Sequence, residues 1–323
     1  MSLGVVIIGR NEGERLTLCL ESALKATQHV VYVDSGSSDD SVGNAKSLGA
    51  LVVSLDLSLP FTAARARNIG WRTLLEQHPE IQYLQFVDGD CELCPEWIPV
   101  AREFLENNPE FAVTCGRRLE RYPQRSIYNQ LCDIEWNTPI GEALACGGDA
   151  MFTASSLVAT NGYRDDVIAG EEPELCVRLR QQGKKIQRLE QDMTLHDANI
   201  TQFKQWWKRT RRCGFAFALG KYLHGAPPER HWVGETRRAL LWGAAIPLLI
   251  IGCALITPWA LILTLVYPLQ VLRLFSRSDI SPKRVRSYWA LLTVVGKIPE
   301  ALGAIECFWK LKRGQALNII EYK

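Results

Sequence analysis

Residues 86–93 read "FVDGDCEL". An apolar run, Tyr83-Leu84-Gln85-Phe86-Val87, stops at Asp88-Gly89-Asp90. Two carboxylates at the end of a strand make either a hairpin turn or half of a cation site. In an extended segment Asp88 and Asp90 share a face, about 6.5–7 Å apart at Cα. Gly89 between them lets the backbone approach a ligand closely. The rest of the chain decides which of the two it is.

Working outward, strand and helix patterns alternate. "LGVVII" (3–8) is a buried strand, and "NEGERLTLCLESALK" (11–25) carries Leu16, Leu20 and Leu24 on one helical face. "HVVYVDSGSSDDS" (29–41) is an apolar strand running into a polar turn, and "ALVVSLD" (50–56) is a third strand. "AARARNIGWRTLLEQ" (63–77) has helical period, and "IQYLQFVD" (81–88) is the fourth strand. Continuous apolar strands alternating with helices predict an α/β fold, a mostly parallel sheet flanked by helices. In such sheets ligands bind beyond the carboxyl ends of the strands. The residues there are Arg10, Asn11 and Glu12, then Asp34, Ser35, Gly36, Asp39 and Asp40, then Asp88 and Asp90. Acids recurring at one edge need a cation or a ligand to relieve their repulsion. A dinucleotide-binding dehydrogenase would need G-x-G-x-x-G after the first strand. "GRNEGER" has only Gly9 and Gly13, so that class fails.

The 323 residues are 47% apolar, enough for a real core and unlike a disordered chain. The formal charge of +2 hides an asymmetry. Residues 1–200 hold 18 Lys/Arg against 29 Asp/Glu, and residues 201–323 hold 19 against 6. Ala239–Leu272 carries no charge at all and breaks near its middle at Thr257-Pro258. That run is too long for one membrane helix and just enough for a tight pair. Arg237 and Arg238 precede it, and Arg273, Arg277, Lys283, Arg284 and Arg286 follow. Basic clusters at both ends predict a multi-pass hairpin over residues 239–275, with both ends cytosolic. The competing reading is a buried helical hairpin in a soluble protein. No export signal is visible at the amino terminus, so the front domain is expected in the cytosol. Ten scattered cysteines, with a single C-x-x-C at Cys91 and Cys94, read as reduced packing thiols.

At this point the sequence resembles a family 2 glycosyltransferase of the GT-A fold, over about residues 4–215. The motifs are "VIIGRNEGERL", "VVYVDSGSSDDS", "AARARNIG", "FVDGDCEL", "GGDAMF", "GEEPELCVRLRQQGKKI" and "LHDA", in the expected order. The resemblance implies that Asp34 meets the base or ribose, with Asn11, Glu12 and Asp39 in the same nucleotide-binding turns. It implies that Arg67 positions the nucleotide, that Asp88 holds the nucleotide end and that Asp90 ligates the metal, with His196 completing the coordination. Gly148 and Asp149 fall in the acceptor loop, and Trp207 and Arg209 in an aromatic, basic helix over the diphosphate or acceptor. The cofactor expected is Mn²⁺ or Mg²⁺, which neutralises a departing diphosphate through oxygen ligands.

Inverting transfer needs a carboxylate to deprotonate the acceptor hydroxyl. The candidates are Glu172 and, second, Glu171. Pro173 is expected at the first helical position, which leaves Glu172 extended just before it, with Gly183 at the helix end. The helix dipole there lowers a carboxylate's pKa and weakens it as a base. The family usually has Asp where Glu172 stands.

The expected layout is a transferase domain over 1–200, a basic and aromatic interfacial segment over 201–238, the hairpin over 239–275, and a basic loop, amphipathic segment and tail over 276–323. Residues 287–309 are apolar but carry Lys297, Glu300 and Glu306, so an in-plane segment is expected, with a third span as the other reading. The expected function is transfer from a UDP- or GDP-sugar to a lipid-linked or saccharide acceptor at the cytosolic membrane face, with no nucleic acid partner. A polyprenyl-phosphate glycosyltransferase is the alternative, and a membrane-tethered nucleotide-binding protein without transfer activity is the alternative of another class.

Overall fold

A computed structural model describes residues 2–59, 61–315 and 317. The strands are β1 (Ser2–Gly9), β2 (Val30–Asp34), β3 (Leu51–Ser54), β4 (Ile81–Asp88), β5 (Cys91–Leu93), β6 (Phe111–Glu120), β7 (Gly141–Ala143), β8 (Ala150–Thr153) and β9 (Lys185–His196). The helices of the first half are α1 (Glu14–Ala26), α2 (Ser41–Ser47), α3 (Ala63–Gln77), α4 (Trp97–Asn107), α5 (Ile127–Trp136), α6 (Ala154–Thr160) and α7 (Glu171–Gln181). Those of the second half are α8 (Phe203–His224), α9 (Val233–Leu240), α10 (Ile246–Ile256), α11 (Val266–Arg277), α12 (Lys283–Val295) and α13 (Lys297–Lys312). The chain divides into two compact units, residues 1–122 with 132–198, and residues 123–131 with 199–323.

The first unit is built on one sheet of order β3-β2-β1-β4-β8-β6-β9-β5, with β7 also on β9. β3, β2, β1 and β4 run parallel, and the apolar β1, β2 and β4 are buried on both faces along most of their length. β8 is antiparallel to both β4 and β6, and β9 runs with β6. Six strands therefore share one direction, and β8 is wedged between them in the opposite sense. The carboxyl ends of β1, β2, β4, β6 and β9 thus reach one edge, and so does the amino end of β8. The core beneath that edge is the two faces of the sheet, with Val5, Ile7, Val31, Val33, Leu84, Phe86, Met151 and Phe152 fully out of solvent.

The four expected strands and the helices at 14–26 and 63–77 form where their periodicity places them. Two local expectations do not hold. β4 ends at Asp88, Gly89 and Asp90 form a turn, and β5 starts at Cys91. Asp88 therefore stays beside β1 and β8, while Asp90 goes with β5 against β9, so the two carboxylates do not share an extended face. Nor does Pro173 open its helix. α7 begins at Glu171, after Gly170 in the left-handed region at φ 83°. Pro173 sits in the first turn, where its missing N–H costs no intrahelical bond, and Glu172 is helical. Gly183 does follow the helix, at φ 78°.

The second unit is helical. Gln202 and Gln205 close a reciprocal capping box at the start of α8. α13 lies against α8 at van der Waals limits, since a Cβ on Gly214 or Gly303 would fall 2.0 Å from a carbonyl oxygen of the other helix. Four charges on α13 are paired: Lys297 with Glu300 at 2.6 Å, and Glu306 with Lys310 at 2.9 Å and with Arg211 of α8 at 2.6 Å. The uncharged run folds as the end of α9, a π-turn at Leu241–Ala245 and α10, then a 3₁₀ stretch at Pro258–Leu265 and the first part of α11, with the break at Thr257-Pro258. Among the described residues, two helices, Val233–Ile256 and Pro258–Arg277, are long and apolar enough to cross a membrane, with mean hydropathies of 2.4 and 1.5. Leu255, Ile256 and Trp259 are at least 85% exposed, which a buried hairpin would not leave.

Candidate active site

The edge where six strand ends meet holds a network of buried charge. Asp88 ends β4, and Gly148, two residues before β8, lies against its side chain. A Cβ at Gly148 would lie 2.8 Å from Asp88 Oδ2 and 2.9 Å from Arg67 Nη2, so only glycine leaves the carboxylate its place. Arg67, on α3 and 2% exposed, reaches three acids. Its Nη2 is 2.8 Å from Asp88, and its Nη1 is 2.9 Å from Glu171 and 2.8 Å from Glu172. Arg118, from β6, is 3.2 Å from the other oxygen of Asp88 and 2.8 Å from Asp149. Asp149 has no exposure at all and also accepts from Thr194 Oγ1 at 2.7 Å and from the Asp88 N–H at 3.0 Å.

Asp88 thus sits between two guanidiniums, and Asp149 is an internal brace. Glu172 is different. Burial and then the adjacent Glu171 push its carboxyl up, with Arg67 opposing them, to about 7. Desolvation disfavours the charged form more than one shared guanidinium restores it. The dipole effect expected from the sequence is outweighed.

Asp90 and His196 come together on the other side of the turn. Cys91 pairs with His196 across β5 and β9, which brings His196 Nε2 to 3.3 Å from Asp90 Oδ2. His196 Nδ1 is 4.0 Å from Glu120 and is buried without a hydrogen-bond partner. Trp136 packs edge-on at 4.7 Å. Burial, then Arg118, lowers the imidazole to about 4, so at neutral pH it is an uncharged donor. Ligand atoms of Asp90, Cys91 and His196 lie within 4.8 Å of one another. Burial holds the Cys91 thiol well above its usual range, so it remains protonated. A carboxylate oxygen and a neutral imidazole are a donor pair that fits Mn²⁺. The alternative cluster of Asp88, Cys91 and Asp149 does not fit, because its carboxylates already hold Arg67, Arg118 and Thr194.

The residues expected on the nucleotide side brace one another. Asn11, at φ 57°, accepts from Ser38 N–H at 2.7 Å, and its own N–H donates to Ser37. Asp34 is buried, accepting from Tyr32 Oη and from the N–H groups of Gly36 and Ser37. Asp39 accepts from Gly13 N–H and Ser41 N–H. Glu12 pairs with Arg15 at 2.7 Å. Trp207 and Arg209 lie on α8, in the second unit. Sequence reading missed Arg118, Thr194, Glu120 and Trp136. Arg117-Arg118 at a strand's carboxyl end, in an acid-rich half, was the available signal for the first.

Residues 4–147 match the model of glycosyl transferase family 2. Among solved structures the chain is similar to a mannosyltransferase, PcManGT from Pyrobaculum calidifontis, in complex with GDP-Man and Mn²⁺. That match has 16% identity over 95% of this chain and 87% of that one, with a TM-score of 0.59. It is also similar to glucosyl-3-phosphoglycerate synthase from Mycobacterium tuberculosis in complex with phosphoglyceric acid, at 17% identity, 70% and 81% coverage and a TM-score of 0.50. At such identity these two speak to the fold, and the family match speaks to the chemistry. The match over residues 4–147 and the GT-A fold shared with these structures mark the chain as a glycosyltransferase similar to family 2.

Proposed function

We propose that the enzyme moves a sugar from a UDP- or GDP-sugar to an acceptor at a membrane surface, with inversion at the anomeric carbon. The observation that carries this is Glu172. It is a nearly buried carboxylate titrating near 7, held by the same Arg67 that holds Asp88 at the strand edge. A base with that pKa is half ionised at neutral pH and takes a proton as the acceptor oxygen attacks. Arg67 keeps Glu172 oriented and Glu171 beside it keeps its basicity high, so Glu171 is a positioning residue. Asn11, Glu12, Asp34 and Asp39 shape the nucleotide seat, and Gly148 lets the acceptor loop close on Asp88.

Asp90 and His196 would hold a divalent ion, which supplies positive charge to the departing diphosphate. Mn²⁺ is favoured over Mg²⁺ by the imidazole donor, and the GDP-Man and Mn²⁺ complex of the mannosyltransferase of this fold supports both donor class and metal. The two apolar helices are proposed as a membrane hairpin, with Arg237, Arg238, Arg273 and Arg277 at its cytosolic ends. Such an anchor suits a lipid-linked acceptor.

The test is nucleoside diphosphate release from a panel of nucleotide sugars with Mn²⁺, for the wild type and Glu172→Gln. Glu172→Gln should lose transfer by about 10²–10⁴-fold while donor binding persists. Wild-type transfer by that variant would remove Glu172 from the role.

A further inference from the structure

At the opposite, amino-terminal edge of the same sheet, three side chains meet that the transferase chemistry does not use. His29 immediately precedes β2, His78 immediately follows α3, and Glu80 immediately precedes β4. The two imidazole rings are 4.1 Å apart at their centroids and tilted by 50°. His78 Nδ1 is 3.5 Å from Glu80 Oε1, and one ligand atom from each of the three lies within 4.8 Å of the others. We propose that His29, His78 and Glu80 form a binding site for a divalent transition-metal ion of the Zn²⁺ class.

The donor set is the two-histidine, one-carboxylate combination that Zn²⁺ takes with a fourth position left to water. Zn–N and Zn–O bonds of about 2.0–2.2 Å require ligand atoms somewhat closer than they stand. Side-chain rotation supplies that closure, because His78 and Glu80 are 35% and 57% exposed. The backbones do not need to move. His29 N–H donates to Thr27 Oγ1, and its carbonyl accepts from Val5 N–H in the sheet. His78 N–H donates to Leu74 in the last turn of α3, and its carbonyl accepts from Ile81 N–H. Core packing does not account for the meeting, since both rings are partly exposed at the sheet's rim.

The site would be a structural clip. It joins the starts of β2 and β4 and the end of α3. The far ends of those strands carry Asp34 and Asp88, and α3 carries Arg67. Holding the three elements at one edge stabilises the sheet without touching substrate. The inference does not depend on the roles proposed for Glu172 or Asp90.

The experiment uses the full-length protein titrated with Zn²⁺ alone, read by calorimetry and by metal content after dialysis. The wild type should bind one equivalent more than His78→Gln or His29→Gln, and the midpoint of thermal unfolding should rise with Zn²⁺ only where both histidines are present. Remaining Zn²⁺ affinity at this site in either variant should be weaker by at least about tenfold. Co²⁺ should give the visible absorption of a tetrahedral site in the wild type and in His196→Gln, which keeps the clip. Transfer with Mn²⁺ should be unchanged in His78→Gln, which also shows that the variant is folded. Equal Zn²⁺ stoichiometry in the wild type and both variants would overturn the proposal.

Discussion

Replacing Glu171 by Gln separates the proposed base, Glu172, from its neighbour. Both carboxylates contact Arg67 Nη1, at 2.9 and 2.8 Å, so their charges lie within roughly 6 Å of each other. Glu172 stands near 7 against 4.5 for an ordinary Glu, a bias of about 3 kcal/mol toward the protonated form. Burial is the larger cause and Glu171 the next. In the proposed role Glu172 takes the acceptor proton only when ionised, so the rate should rise with pH through about 7 and level off near 8. Below that limb the rate falls about tenfold per pH unit. Glu171→Gln removes the like charge and leaves burial in place. The acid limb should then move down by about one pH unit, the lower end of what a like charge at this range contributes. The plateau should stay within a few-fold of wild type. The assay is nucleoside diphosphate release under donor and acceptor saturation, from pH 5 to 9. A limb that does not move, or moves up, refutes the coupling. A plateau that collapses at every pH would make Glu171 itself the base.

Three further outcomes follow from the same geometry. Asp90→Asn should weaken donor binding in Mn²⁺ to the level seen with chelator, as measured by calorimetry; an undiminished metal increment would take Asp90 out of the site. Asp149→Asn removes the fully buried partner of Arg118 and leaves it Asp88; it should cost about 1–3 kcal/mol in urea unfolding, with unchanged stability ruling out the brace. Gly148→Ala pushes a methyl into the Asp88–Arg67 contact and should lower both turnover and stability, the latter by about 1–3 kcal/mol; a wild-type rate would show that the loop opens elsewhere.

Much of the site was legible one strand at a time. Asn11, Asp34 and Asp88 follow apolar runs whose period makes them strands of a parallel sheet, and strand ends in such sheets face one edge. The placement of Asp90 was not legible, because a turn after Asp88 is worth little locally and becomes necessary only when β5 pairs with β9. Glu172 was misjudged in conformation and in electrostatics for a related reason. Proline at position 173 disfavours a helical residue before it, and the helix dipole favours a charged carboxylate, but both are weak local preferences. Burial against Arg67 and Glu171 involves larger energies and is invisible until the helix is docked. Besides Arg67 on α3, the partners of Asp88 and Asp149 come from β6 and β9, distant in sequence, and one of them, Arg118, differs from its neighbour Arg117 only in which face of the strand it occupies.

What the sequence determined by itself is what depends on period and composition. That covers the α/β alternation, the acidic edge, the helix stop at Gly183, the break at Thr257-Pro258 and the long uncharged run with basic flanks. These follow from local steric rules and from the cost of placing charge in apolar surroundings, and both act along the chain. What only the tertiary structure decided is how the charges are shared. Arg67 and Arg118 hold Asp88 between them, Asp149 becomes a brace, and Asp90 is left facing a neutral His196. That allocation depends on distances of about 3 Å between residues up to about a hundred positions apart, and on the loss of water around them, which changes the strength of every charge in the group.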